Sequence, residues 1–210
     1  MNKNRKVWNV PNKLSTARLA LSVVVFILIP LQQYWAAFVI FVIAAGTDWI
    51  DGWYARKYDQ VTQLGRILDP FCDKILICGL FILLAIEMNT DSFAWYERIA
   101  GWMAVVVVGR ELLVTVLRSL IEGSGGDFSA KMPGKIKMLF QCIAAGAGLV
   151  ALALNRAAAS SDSGETNVYG IPLWLTIVLV VSIWAAVIST IYSGVLYVVA
   201  ARDQILIEPE

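Results

Sequence analysis

The chain has 210 residues, 59% of them hydrophobic and only 16% charged, a balance that excludes an ordinary soluble domain and points to a protein that uses the bilayer as solvent. Its formal net charge of +1 says little, since in a membrane protein the placement of charge matters more than its sum. Histidine is absent, which excludes Ser-His-Asp and Cys-His hydrolysis, histidine-dependent phosphodiester chemistry and His-rich zinc sites.

Met1 to Lys13 carries Lys3, Arg5, Lys6 and Lys13 around Val7, Trp8 and Val10. It reads as a short interfacial helix or a frayed basic terminus. The apolar stretch behind it ends at Ile29-Pro30-Leu31 with no small-residue cleavage site, so it is expected to stay in the protein as a helix. A spanning helix needs about 20 mostly apolar residues. Six segments approach that length: Leu14 to Leu31, Tyr34 to Arg56, Asp69 to Met88, Trp95 to Leu120, Gly134 to Asn155 and Ile171 to Ala201. The expected fold class is therefore all-α, a polytopic membrane protein with six transmembrane helices. Residues 1–13 would form the N-terminal interfacial segment, 14–201 the transmembrane domain and 202–210 a tail.

With six spans, both termini and the second and fourth loops share one face. All of the 17 Lys and Arg residues except Arg98 and Arg156 fall on it, so that face is expected to be cytoplasmic. Trp35, Trp95, Tyr96 and Trp174 then lie at the outer interface, and Trp8, Trp49 and Trp53 at the inner one. The loop from Ala157 to Gly170 is polar and carries no evident chemistry. Cys72, Cys78 and Cys142 are isolated in apolar context and read as small buried hydrophobes. No internal repeat, soluble domain or nucleic-acid-binding pattern is visible.

Chemistry concentrates between Asp48 and Asp73. Asp48 and Asp51 are three residues apart, and Gly52, Ala55 and Arg56 follow on the same helical face. That stripe offers two carboxylates, a floor without bulk, and a guanidinium whose planar fork suits phosphate. Across a polar loop, Asp69 and Asp73 are one helical turn apart, and Pro70 is expected in the first turn of its helix. Each charge held in the membrane core costs about 2.5–3.5 kcal/mol. Divalent cations would relieve four crowded carboxylates better than protonation, because Arg56 and Lys74 favour the charged forms. Oxygen-only ligands suit Mg²⁺ or Mn²⁺, and four carboxylates suffice to bridge two ions about 4 Å apart.

The pattern Asp48-x2-Asp51-Gly52-x2-Ala55-Arg56-x8-Gly65-x3-Asp69-x3-Asp73 matches, at every defined position, the signature of the CDP-alcohol phosphotransferases. The chain resembles this family along most of its length. Within the family it is most similar to the bacterial branch that joins CDP-diacylglycerol to sn-glycerol 3-phosphate. The residues that carry this likeness are Pro11-Asn12-Lys13-Leu14-Ser15 with Arg18, Leu68-Asp69-Pro70, Arg110-Glu111 with Arg118, and Gly134-Lys135-Ile136-Lys137. It departs from that branch at Ser15, Cys72 and Met138, none of them a carboxylate.

The resemblance implies a homodimer of six-helix subunits in the bacterial inner membrane, with two bound Mg²⁺ or Mn²⁺ and no nucleic-acid partner. Asp48, Asp51, Asp69 and Asp73 would be the metal ligands, with Asp73 also the general base. Asn12, Asp51, Gly52, Ala55, Arg56 and Gly65 would line the CDP-diacylglycerol site. Arg110, Arg118, Lys135 and Lys137 would receive the acceptor's phosphate, since a dianion needs cationic partners. Lys135 and Lys137 have a second reading, as basic residues flanking a helix at an anionic surface. Glu111 either orients Arg110 or balances its charge. Other acceptors within the family are inositol phosphate, serine and phosphatidylglycerol. From another class, intramembrane carboxylates also line divalent-cation transporters, although those sit nearer the midplane, at broken helices or repeat interfaces.

Overall fold

The computed structural model describes residues 10–57, 63–123, 132–160 and 171–205. Its regular structure there is six α-helices: α1 Val10–Leu28, α2 Tyr34–Lys57, α3 Gln63–Glu87, α4 Gly101–Gly123, α5 Met132–Ser160 and α6 Leu173–Ile205. The all-helical expectation holds, and the helix ends differ in instructive ways. Hydropathy starts α3 at Asp69, but its helix opens at Gln63, so Gly65 and Asp69 belong to it. Pro70 consequently lies inside α3 rather than in the first turn. Its missing N–H leaves the carbonyl of Arg66 without the usual backbone donor.

Trp95 and Tyr96, expected in the fourth helix, precede it. Residues 88–100 instead form turns, held by Phe93 N–H to the Thr90 carbonyl at 3.3 Å and Glu97 N–H to the Ala94 carbonyl at 3.0 Å. The buried Glu97 carboxylate accepts from the Ala94 N–H at 3.1 Å. An apolar-residue count cannot see such turns, because Trp and Tyr score as membrane residues in either conformation.

Between α1 and α2 the chain reverses in five residues, with Gln33 N–H donating to the Leu28 carbonyl at 2.9 Å. Gln32 takes φ 58°, a left-handed conformation that costs a non-glycine residue about 1–2 kcal/mol. Its side-chain oxygen accepts a hydrogen bond from Arg156 Nη1, tying the turn to the far end of α5.

α1 packs on α2 and α3, α5 touches α2, α3 and α6, and α4 lies against α3 and α6. Small residues on α5 let it sit centrally, since backbones approach closely where side chains are short. A Cβ on Gly146 would stand 3.5 Å from Phe38, and one on Gly148 3.2 Å from Leu84. Ala144, Ala145, Leu149, Ala151 and Leu152 are buried beside them, together with Phe81, Leu84, Met88, Ile99, Leu179 and Ile183. Gln141 Nε2 donates to Thr190 Oγ1 at 3.1 Å inside the α5–α6 seam.

The outside of the bundle is apolar. Val39 and Val42 on α2, Ile82 and Ile86 on α3, Val105 and Leu112 on α4, and Ile177, Ile188 and Val195 on α6 are all exposed. Water would penalise so continuous an apolar surface, whereas lipid tails solvate it. Ile136–Ala159 and Leu173–Arg202 are long and apolar enough to cross a membrane, and Thr16–Leu28 and Tyr34–Thr47 are shorter apolar stretches. The protein is a membrane protein.

Neighbouring residues fix the helix directions. Gly134, early in α5, lies next to Tyr197, late in α6. Trp102 and Trp184 have ring centroids 6.2 Å apart, and Arg110 meets Gly194, so α4 and α6 run the same way. Lys74 of α3 reaches Thr115 of α4. The start of α3 and the ends of α4 and α6 therefore share one end of the bundle with the start of α5. Five residues join α2 to α3, and so short a link spans at most about 20 Å, which brings the end of α2 to that end as well.

Candidate active site

The two carboxylate rows lie at this shared end. α2 is helical through Asp48, Asp51, Gly52, Ala55 and Arg56, and α3 through Gly65, Asp69 and Asp73. Each Asp pair is thus one turn apart on its own helix. Asn12 is in the opening turn of α1 and Lys135 in that of α5. The side chains of these ten positions lie outside the described residues, so their expected ligand roles rest on backbone placement and residue chemistry. Carboxylate residues at helical spacing on two helix ends at the same end of the bundle fit hard divalent cations such as Mg²⁺ and Mn²⁺.

Next to these rows the side chains are described, and they form a buried charged cluster. Arg110 stands thirteen residues before the end of α4, about 20 Å along the helix, deeper than apolar counting suggests. Its guanidinium lies over the Tyr197 ring, 5.3 Å from the centroid, and its stem passes Gly194, where a Cβ would come within 3.3 Å of Arg110 Cγ. Tyr197 itself is buried with Val114, Ile121 and Ala201, where α4 meets α6.

Arg110 Nη1 donates to Glu111 Oε1 at 3.3 Å. Lys137, from α5, donates to the same oxygen. Both Glu111 and Lys137 are more than nine-tenths buried. The Thr115 hydroxyl donates to the Glu111 carbonyl at 2.6 Å and accepts from Lys74 Nζ. Arg118, two turns beyond Arg110, lies within electrostatic reach of Lys74. The Nε atoms of Arg110 and Arg118 are buried donors with no hydrogen-bond partner among the described residues. Each orphaned donor of this kind costs about 1–3 kcal/mol.

Among the described side chains, Arg110, Lys137 and Lys74 therefore gather around Glu111, and Arg118 lies within electrostatic reach of Lys74. Positive charge is in excess among these described side chains, which suits an anionic ligand. Of the expected acceptor residues, Arg110 and Lys137 are brought together through Glu111, Arg118 joins them by way of Lys74, and Lys135 lies outside the described side chains. Lys74, Thr115 and Tyr197 were not among the expected site residues. Lys74 had a signal, its place beside Asp73. Thr115 and Tyr197 had none, since neither residue type is unusual and Tyr197 is far along the chain.

The fold and the site define a helical membrane protein that gathers carboxylate residues and a cationic cluster at one end of its bundle. The sequence model of the CDP-alcohol phosphatidyltransferases matches residues 8–192. The chain is 36% identical to a CDP-diacylglycerol–glycerol-3-phosphate 3-phosphatidyltransferase of Bacillus subtilis, covering 69% of this chain and 78% of that one. It is 32% identical to a protein of the same name from Escherichia coli K12, covering 65% and 74%, and 28% identical to one from Shigella flexneri, covering 95% and 98%. The chain belongs to the CDP-alcohol phosphatidyltransferase family. It is an enzyme of that type, and the family is in general dependent on divalent metal ions.

Proposed function

We propose that the protein transfers the phosphatidyl group of CDP-diacylglycerol to sn-glycerol 3-phosphate, giving phosphatidylglycerol phosphate and CMP. The observation that carries the choice of a phosphorylated acceptor is the cluster of Lys74, Arg110 and Lys137 about Glu111, with Arg118 near Lys74. A phosphorylated alcohol brings two negative charges to it, whereas serine brings no phosphate. The names of the relatives from B. subtilis, E. coli and S. flexneri support the same choice.

In this reading Asp48, Asp51, Asp69 and Asp73 hold two divalent ions. When bound, these supply charge neutralisation at the diphosphate and make CMP a better leaving group. Arg56 takes the donor's phosphates with its planar fork, while Gly52, Ala55, Gly65 and Asn12 leave room for the cytidine and diphosphate. Asp73 accepts the proton of the glycerol 1-hydroxyl. The resulting oxygen attacks the lipid-side phosphorus, a new P–O bond forms as the bond to CMP breaks, and no covalent enzyme intermediate is required.

The acyl chains remain in lipid beside the exposed apolar helix faces. Six spans, both termini and the site on the cytoplasmic side of a bacterial inner membrane, and a homodimer complete the reading. The orientation is supported by the sequence positions of every Lys and Arg but Arg98 and Arg156. The test is CMP release by purified protein given CDP-diacylglycerol and, in turn, glycerol 3-phosphate, inositol phosphate, serine and phosphatidylglycerol. Glycerol 3-phosphate should give the highest kcat/KM. A higher value with another alcohol would replace the acceptor. Mn²⁺ flux into proteoliposomes with no nucleotide chemistry would replace the transferase reading with a transporter.

A further inference from the structure

A carboxylate inside an anion-binding cluster needs an explanation, because it repels the ligand the cations attract. Glu111 is such a group. It is buried, lies on α4 beside Arg110, and spends one oxygen, Oε1, on both Arg110 and Lys137. Three roles are open to it: a plug that a phosphate must displace, a counter-charge needed only for folding, or a brace that sets the two donors.

The geometry points to the brace. Arg110 and Lys137 reach Glu111 from different helices, α4 and α5, and both end on the same oxygen. That shared acceptor fixes the separation of two like charges that would otherwise repel. Arg110 is held on its remaining sides by the Tyr197 ring and by the close passage of Gly194. Its Nε has no described partner, so bracing Nη1 leaves a donor for a ligand. The main chain of Glu111 does a second service, since its carbonyl accepts from the Thr115 hydroxyl, which in turn accepts from Lys74. One residue thus organises cations from α3, α4 and α5.

We infer that Glu111 is a positioning residue for the acceptor's phosphate, acting through Arg110 and Lys137 rather than touching the substrate. This rests on the proposed use of that cluster as the acceptor site. The plug and the brace predict opposite signs. Removing a plug tightens phosphate binding, and removing a brace weakens it.

The experiment measures CMP release by the full chain in lipid nanodiscs, varying glycerol 3-phosphate and CDP-diacylglycerol separately, for wild type, Glu111→Gln and Glu111→Ala. Glu111→Ala should raise the KM for glycerol 3-phosphate by about 10- to 100-fold, the range of a charge-assisted hydrogen bond, with the donor's KM unchanged. Glu111→Gln keeps an oxygen that both donors can reach and should recover most of that loss. In a Lys137→Ala background, Glu111→Ala should add much less than it does alone, because the two act as a unit.

A fall in the acceptor's KM would overturn the inference in favour of the plug. An unchanged KM in a folded Glu111→Ala protein would reduce Glu111 to a counter-charge. If Glu111→Ala does not fold, Glu111→Asp decides: it keeps the charge but draws the oxygen back from Arg110 and Lys137, so a raised acceptor KM with native thermal stability supports the brace, and wild-type kinetics refute it. Wild-type protein inactive with glycerol 3-phosphate but active with another alcohol would remove the acceptor reading and the inference together.

Discussion

At the scale of single residues, two side chains test the division of labour between chemistry and acceptor binding. Replacing Asp73 by Asn removes the proposed proton acceptor while keeping size and polarity. Turnover should fall by about 10²- to 10⁴-fold, as for loss of a general base, with CDP-diacylglycerol binding retained in a filter assay. Undiminished turnover would strip Asp73 of that role. Arg118 offers a buried Nε with no described partner. Arg118→Ala should raise the KM for glycerol 3-phosphate by about 10- to 100-fold, far more than that of the donor. Equal effects on both would move Arg118 out of the acceptor site. Arg110 and Arg118 stood out in the sequence because a charge within an apolar run demands a reason, and Lys137 stood out less, because a basic residue flanking a helix has a second reading. Tyr197 and Thr115 did not, because an aromatic and a hydroxyl in a membrane helix are ordinary. The packing of α6 on α4 gives Tyr197 the Arg110 guanidinium, and that of α3 on α4 gives Thr115 the Lys74 ammonium.

At the scale of helices, the close approach of α1 to α3 depends on Gly79. A Cβ there would fall 2.2 Å from the Phe26 ring, so either the ring swings away or the helices part. Gly79→Ala should destabilise the bundle by about 1–3 kcal/mol, the usual range for overpacking. Thermal unfolding in micelles measures this, and Phe26→Leu in the same chain should restore part of the loss. An unshifted Tm would mean that α1 and α3 are not packed through this contact. Helix existence was readable from apolar runs, but helix ends were not. α3 begins at Gln63 because polar residues such as Gln63 and Arg66 are good helix formers that hydropathy discounts. α4 begins only at Gly101 because the preceding segment satisfies its backbone in turns.

At the scale of the whole molecule, the bundle keeps apolar surface outward and gathers Lys74, Arg110, Glu111 and Lys137 at one end, and in the proposed reading a lipid-bound donor and a water-soluble acceptor meet there without either leaving its solvent. Removing divalent ions with EDTA should abolish turnover while the helical circular dichroism stays constant, and Mg²⁺ or Mn²⁺ should restore it. Turnover that survives chelation would contradict the metal role of the four Asp residues. The most direct test of the central claim follows CMP and lipid product together in purified protein supplied with CDP-diacylglycerol, a divalent ion and sn-glycerol 3-phosphate. The account predicts that CMP and phosphatidylglycerol phosphate appear in equal amounts and only when glycerol 3-phosphate is present. CMP released without the acceptor, or without that lipid, would contradict it.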